Sequence, residues 1–543
     1  MDKNKLSITL AKITLQTNSF AEKDRTQAAD VTTKVVGDFG RWQLKISVLM
    51  SLLKLSNAWY QMNIIFMAPP QEFWCKKPAC FSQYSDERWR LMSTPMIEEH
   101  PCLIFDPDIL AMAPDMDKGM IPLVACKEFV FDCREFKRTM TSEWTLVCGE
   151  HWKVHITQCI MMFGVLLGGI VFGVCADKYG RKIPLMVGII MQAVFSFLCT
   201  FLPTYNTFIA SWFLLALASG GITIVSFVIC MEAVSGKWRM IVPILYQVPF
   251  GIGSAILALL AYWYRDWRRI ELGLAILSSL YILYWFFIPE SPRWLIANRQ
   301  YDKAAGAYKS FVLRSYNKKP MDMKDIMHMF PKEVRVPTPP GFTAFLKSKN
   351  MRWKTILLAI NWFCTGMSFY TFSQYLGGLG GNIFLTVAAT GIISVPGPLV
   401  CVLVAMRFGR KTTIWIFQIL TSCCFVAILY MRRERCCHEW VQLSFAGIGF
   451  AGLAASVPTL YLYSGEIYPT LGRNIGVGGV TTFARIGAMI APLIVALDSF
   501  AQDLSLKLLT VTSIAQLALL LPMPETRGTT LPETIEEAEK INK

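Results

Sequence analysis

Two basic residues stand inside long apolar stretches, where an unpartnered charge is expensive. Lys54 sits within a run that begins near residue 44, and Arg485 lies at the centre of Thr482-Phe483-Ala484-Arg485-Ile486-Gly487. A base at such depth must face a cavity or a partner. A cavity-facing Arg485 would bind an anionic group, and the other reading is a structural ion pair. Lys54 would supply a second positive charge, unless it snorkels or pairs. Aromatic residues crowd one stretch, with Trp362, Phe363, Phe369, Tyr370, Phe372 and Tyr375, and Phe250 and Tyr461 add to them. Aromatic rings lining a cavity hold flat organic ions by stacking and cation–π contact.

A second chemistry is carried by paired acids and bases that occur twice. Asp177-Lys178-Tyr179-Gly180-Arg181-Lys182 is echoed by Met406-Arg407-Phe408-Gly409-Arg410-Lys411, 229 positions later. Glu232 and Arg239 are echoed by Glu466 and Arg473 at an offset of 234. Pro289-Glu290-Ser291-Pro292-Arg293 is echoed by Pro524-Glu525-Thr526-Arg527-Gly528 at an offset of 235. Three signatures in one order at nearly one offset imply two similar halves related by an axis along the membrane normal, with a binding site between them. Arg181 and Lys182 offer partners to Glu232 or Glu290, and Asp177 can favour a helix N-terminus. Such pairs are expected to latch the two halves together on one face and to break when that face opens. Met406 replaces the acid of the first copy, so the second latch should be the weaker.

The elements that position these residues are membrane spans. The 543 residues are 54% hydrophobic and 17% charged, with a mean hydropathy of +0.41. Twelve runs, from 44–66 to 504–522, approach the roughly 20 apolar residues that cross a bilayer. The expected fold is therefore all-α and multi-span, in two pseudo-symmetric bundles of six helices. The expected divisions are a cytosolic tail over 1–43 and a first bundle over 44–288, which includes an extracellular loop over 67–152. A cytosolic loop over 289–353, a second bundle over 354–522 and a cytosolic tail over 523–543 follow. Residues 1–43 lack an apolar h-region, so the first span should act as its own insertion signal. Gly164, Gly168, Gly169 and Gly173 suit close helix packing.

The net charge of +15 could suggest a nucleic-acid binder. Its placement argues for a bilayer instead: fourteen Lys or Arg against five Asp or Glu lie between Pro289 and Lys354, on the side where the positive-inside rule puts them. Arg432-Arg433-Glu434-Arg435 falls outside against the rule, and nothing in the sequence accounts for it. Six cysteines, Cys75, Cys80, Cys102, Cys126, Cys133 and Cys148, sit in the outer loop and read as up to three disulfides of undetermined pairing. There is no phosphate-cradling Gly-Lys-Ser/Thr loop and no His-Glu-x-x-His helix, so neither an enzyme, a metal nor a cofactor is expected. Partners are small organic ions and the lipid bilayer; oligomeric state is open.

These features, together with Gly37-Asp38-Phe39-Gly40-Arg41, Ser142-Glu143-Trp144-Thr145-Leu146-Val147-Cys148, Gly465-Glu466-Ile467-Tyr468-Pro469-Thr470 and Leu531-Pro532-Glu533-Thr534, give the chain a family likeness. It resembles the organic ion transporters (organic cation, carnitine and organic anion) of the major facilitator superfamily. The resemblance implies facilitated or exchange transport of small organic ions at the plasma membrane by alternating access. It also implies that Phe250, Trp362, Phe369, Tyr370 and Tyr461 line the central cavity. At the position of Arg485 the cation carriers are acidic, and the anion and carnitine carriers basic. Anion carriers show Pro-x-Lys where this chain reads Pro396-Gly397-Pro398, and cation carriers a Glu where it has Ser394. The expectation leans to anionic or zwitterionic, carnitine-like substrates. The alternative is a sensor or scaffold that keeps the fold without transporting.

Overall fold

The computed structural model describes residues 39–93, 102–112, 121–234, 238–298, 300, 303, 342–377, 382–434, 439–469, 473–499, 501, 503–527, 532 and 535–540. Twelve principal helices occupy them. In the first half these are α1 (Arg41–Met62), α2 (Trp152–Tyr179), α3 (Lys182–Phe201), α4 (Tyr205–Ala233), α5 (Ile241–Tyr264) and α6 (Trp267–Phe287). In the second they are α7 (Lys349–Leu376), α8 (Ile383–Phe408), α9 (Arg410–Glu434), α10 (Glu439–Ile467), α11 (Arg473–Ala496) and α12 (Leu504–Leu520).

Ten of the twelve, α2 to α11, contain stretches long and apolar enough to cross a bilayer among the described residues. The two ends of the series differ from the expectation of twelve equal spans. α12 has only 17 residues. α1 has 22, but Lys54, Asn57 and Gln61 on it lower its hydropathy.

Helix boundaries follow local chemistry. Asp266 caps α6 by accepting from Arg268 N–H at 3.0 Å, and Asn382 caps α8 by accepting from Phe384 N–H at 3.1 Å. Such caps satisfy donors that a helix start leaves open. α2 ends at Gly180 (φ +97°) and α8 at Gly409 (φ +101°), conformations that L side chains rarely adopt.

Those two turns build the duplicated networks. Beyond Gly180, the backbone N–H of Arg181 donates to Glu290 at 2.7 Å, and Lys182 N–H does so at 3.3 Å. Beyond Gly409, Arg410 N–H donates to Glu525 at 2.9 Å and Thr412 N–H at 3.2 Å. A carboxylate thus sits on the N-terminal dipole of α3 and of α9. The Arg181 guanidinium pairs with Asp177 at 2.6 Å and Glu232 at 3.0 Å, while Arg410 pairs with Glu466 at 2.9 Å. Ser291 and Thr526 donate to Glu232 and Glu466, each at 2.5 Å.

This corrects the latch. Each network closes within its own half, tying α2, α3, α4 and the end of α6 together, or α9, α10 and the segment after α12. Asp177 meets Arg181 rather than a helix terminus. Lys182 lays its Nζ over the Trp285 ring at 4.8 Å instead of meeting a carboxylate. Arg293 and Arg473 reach backbone carbonyls, of Val234 at 3.3 Å and Tyr468 at 3.4 Å. The Arg239 side chain lies outside the described residues. At Met406 there is no counterpart of Asp177, so Arg410 has one carboxylate where Arg181 has two.

The end of the bundle opposite these networks carries the residues between α1 and α2. Two short antiparallel pairs form there, Phe73–Cys75 with Phe129–Phe131 and Leu103–Phe105 with Leu123–Ala125. Disulfides join Cys75 to Cys126 and Cys102 to Cys148. Cys133 does not join them; it is an exposed free thiol. The strand register explains this. Cys75 lies opposite Phe129, so Cys133 is carried past the far end of the pair, beyond Phe73. The Cys80 side chain lies outside the described residues.

The halves meet along α5–α8 and α2–α11. At the first crossing a Cβ on Gly251 would stand 2.5 Å from Gly391 O, and one on Gly391 would stand 2.8 Å from Gly251 O. Gly251→Val should therefore force the halves apart here, at about 1–3 kcal/mol. The expected result is a chain less stable than the wild type by that amount, and the unfolding midpoints of the two purified proteins measure it. Inside α2, Gly164 and Gly168 pack against α4, while Gly169 and Gly173 meet only side chains of Ile224.

Candidate functional site: a central cavity with two bases

A cavity of about 130 Å³ lies between the halves. α1 brings Lys54 and Asn57 to it, α4 Thr223 and Phe227, and α5 Phe250. α7 brings Trp362, Phe369 and Tyr370, α10 Tyr461, and α11 Arg485. All seven residues expected to contact substrate line this one space, and no carboxylate is among its lining residues.

The aromatic wall has two groups of touching rings. Trp362 and Tyr461 meet edge-on at 4.4 Å, Phe227 and Tyr461 stand 5.5 Å apart, and Phe250 crosses from one half to Phe369 of the other at 5.6 Å. Trp362 is fixed by donating Nε1–H to Ser464 at 3.0 Å. The remaining rings of α7 serve elsewhere: Phe372 packs on Phe425 and is fully buried.

Neither base has a carboxylate partner among the described residues. Arg485 donates from Nη1 to the Tyr370 hydroxyl at 3.4 Å, and Lys54 places Nζ 5.1 Å from the Tyr246 ring centroid. Lys54 is only 6% exposed, so it does not snorkel to a surface. The geometry therefore offers two bases facing one cavity, Lys54 buried and Arg485 half-buried.

Contacts join the halves on both sides of this cavity. On the loop side the Tyr370 hydroxyl donates to Gln61 Oε1, and Gln61 Nε2 donates to Asn57 Oδ1 at 2.7 Å. Thr223 also donates to Asn57 Oδ1, at 2.9 Å. Farther out, Phe384 of α8 stacks on Phe66 and meets Phe136 at a tilt. On the basic side, Ile244 packs against Cys401, Val402 and Phe417 of the second half. Beyond the Gln61–Tyr370 contact, a second space of about 560 Å³ opens between the halves on the loop side. There Arg432 pairs with Asp503 at 2.8 Å and donates to the Tyr375 hydroxyl at 2.6 Å. That pairing accounts for a base on the side where the charge pattern did not expect one.

Residues 124–538 match the family described as sugar (and other) transporter. The chain belongs to that family. Its fold is the major facilitator fold: a partially occluded inward-open form of the xylose transporter XylE from E. coli superposes with a TM-score of 0.61 at 13% identity, covering 90% of this chain and 100% of that one. Similar curated proteins include an organic cation transporter protein of Drosophila melanogaster, 28% identical over 95% of both chains. Solute carrier family 22 member 3 of Rattus norvegicus is 28% identical over 94% of this chain and 96% of its own. The organic cation/carnitine transporter 2 of Homo sapiens is 27% identical over 94% of each. This family member is a multi-pass membrane protein.

Sequence reasoning missed two groups in this transporter-family chain. Asn57 and Gln61 share the face of α1 that carries Lys54; the spacing 54, 57, 61 is a helical period and was available as a signal. The second group is a clamp at the loop side of α6. Glu143, in the short helix Met140–Trp144, receives Arg268 at 2.7 Å, Arg138 at 2.7 Å and the Trp267 indole N–H at 2.8 Å. Arg268 also donates to the carbonyl of Leu202 at 2.6 Å. Trp144 packs on Trp267 and Phe208 and donates to Pro203 O at 3.0 Å.

Proposed function

We propose that this chain carries small organic anions or zwitterions across the plasma membrane by alternating access, as a uniporter or exchanger. The observation that supports it is the carboxylate-free central cavity with Lys54 and Arg485 on its wall. A desolvated base without a partner costs several kcal/mol, and a carboxylate-bearing substrate would offset that cost by pairing with it. Low-dielectric walls of one sign also gather the opposite ion. The aromatic wall suits the other end of a zwitterion, since an ammonium group over Trp362, Phe250 or Tyr461 gains cation–π attraction. A carnitine-like molecule has both ends. This agrees with the name of the human relative, an organic cation/carnitine transporter.

Alternating access fits contacts between the halves above and below the cavity. Opening one side would break the Gln61–Tyr370 bond and part Phe384 from Phe66; opening the other would part Ile244 from Val402. The two within-half charge networks would keep each bundle rigid while they rock. α1 and α12 complete a set of twelve spans. The disulfide-bearing loop faces outward, where such bonds persist, and the basic segments and both termini face the cytosol.

An uptake screen tests this. Cells expressing the chain are offered a quaternary ammonium, an aromatic carboxylate and carnitine, each radiolabelled. Accumulation of the carboxylate or carnitine, well above that of the bare cation, is the expected result. Uptake of the quaternary ammonium alone would refute the charge assignment.

A further inference from the structure

Glu271 on α6 is a fully buried carboxylate outside the central cavity. It receives Asn63 Nδ2 at 2.7 Å and the Ser196 hydroxyl at 2.8 Å. Ser196 is joined to the Tyr60 hydroxyl at 2.9 Å, and Tyr60 to Ser278 at 2.9 Å. Every partner is neutral. The titratable and charged groups around it are Tyr60 of α1, Cys199 of α3 and, one turn earlier on its own helix, Arg268. Arg268 is committed to Glu143 and to backbone carbonyls. α5, packed alongside, contributes no charged group to it among the described residues. A carboxylate so buried carries either a proton or a large uncompensated cost.

We propose that Glu271 is a proton-binding site whose occupancy sets how firmly the loop end of α1 is tied to α3 and α6. A metal cation is less well served: two carboxylate oxygens, the Ser196 hydroxyl and the otherwise unpaired Asn63 Oδ1 fall short of the six or more oxygens that hard cations gather. The coupling is geometric. Ionised, Glu271 accepts charge-assisted bonds from Asn63 and Ser196; protonated, it accepts bonds of roughly half that strength. Asn63 ends α1 and stands two residues from Gln61, which receives Tyr370 across the halves. Taking up a proton from water slackens this tie, and returning it restores the tie, so a proton on Glu271 biases the loop-side gate. Its consequence for uptake rests on the transport reading above; the binding of the proton does not.

Infrared difference spectra of the purified chain in lipid, taken between mildly acidic and mildly alkaline buffer, test the site. The expected result is the C=O stretch of a buried carboxylic acid that vanishes on the alkaline side and is missing from Glu271→Gln. The same variant should flatten the pH dependence of radiolabelled carnitine uptake several-fold. A band that persists in Glu271→Gln, that is present or absent in the wild type in both buffers, or that responds to sodium rather than pH overturns the proposal. None of these outcomes bears on the anion site, which Arg485 variants decide. Should the glutamine variant not be recovered, Glu271→Asp keeps the acid and must shift the band; an unmoved band also overturns the proposal.

Discussion

If Arg485 grips the substrate carboxylate, as proposed, Arg485→Ala is expected to abolish uptake of carboxylate-bearing substrates while the chain reaches the cell surface in undiminished amount. The expected loss is that of a charge-assisted contact in a desolvated pocket, about 2–4 kcal/mol, or roughly 30- to 700-fold in apparent affinity. Surface expression is the informative control. Removing one member of a buried ion pair leaves the other charge stranded and destabilises the fold. Arg485 has no carboxylate partner among the described residues, only the Tyr370 hydroxyl at 3.4 Å, so its removal strands nothing. A binding role and a structural role thus predict opposite outcomes for stability. Arg485→Lys should recover part of the uptake, because it restores the charge without the planar fork that grips a carboxylate in two places. Unchanged uptake of every substrate in Arg485→Ala would remove this residue from the site.

Residue types alone point to Lys54 and Arg485, while the placing of Phe250, Trp362, Phe369, Tyr370 and Tyr461 at a central cavity rests on the family resemblance. A base in the middle of an apolar run, and rings at helical spacing on a neighbouring run, are local signals, and depth in a bilayer gives them meaning. What sequence could not supply is which side chains share a space. Phe372 and Trp362 look alike on α7, yet one faces α9 and the other the cavity. The charge signatures show a subtler failure. The acid–base pairs read as a latch between the halves. Repetition argues the reverse: two copies of one fold unit each contain a full complement of partners, so each network can close on itself. Gly180 and Gly409 carry that message, since each sits against a glutamate of its own half, Glu290 or Glu525. Disulfide pairing depended on the register of strands only three residues long, too short to stand out in a loop. The clamp on α6 joins positions 125 residues apart, and no local period links Glu143 to Arg268.

That clamp gives the second large expectation. Glu143→Gln should lower the thermal stability of the purified chain by about 3–5 kcal/mol, the usual cost of breaking a buried pair by removing one charge. The side chains of Glu143 and Arg268 are only 11% and 12% exposed, so solvent does little to replace the lost partner. The variant takes the negative charge and one acceptor oxygen from Arg268 and loosens the Met140–Trp144 helix from α6. The pH dependence carries a definite sign. Burial by itself would raise the Glu143 carboxyl, but the hydrogen bonds from Arg268 and Trp267, with the charges of Arg268 and Arg138, outweigh it and hold the group below the ordinary carboxylate value of 4.5. A depressed carboxyl contributes stability that is full above its unfolded value and is lost as pH falls through the folded one. The gap between wild type and Glu143→Gln should therefore be widest at neutral pH and narrow in acid below that ordinary value. Unfolding midpoints of both proteins across this range measure it. A gap that stays constant into acid would mean that packing of Trp144 against Trp267, and not the charge on Glu143, holds the loop to α6.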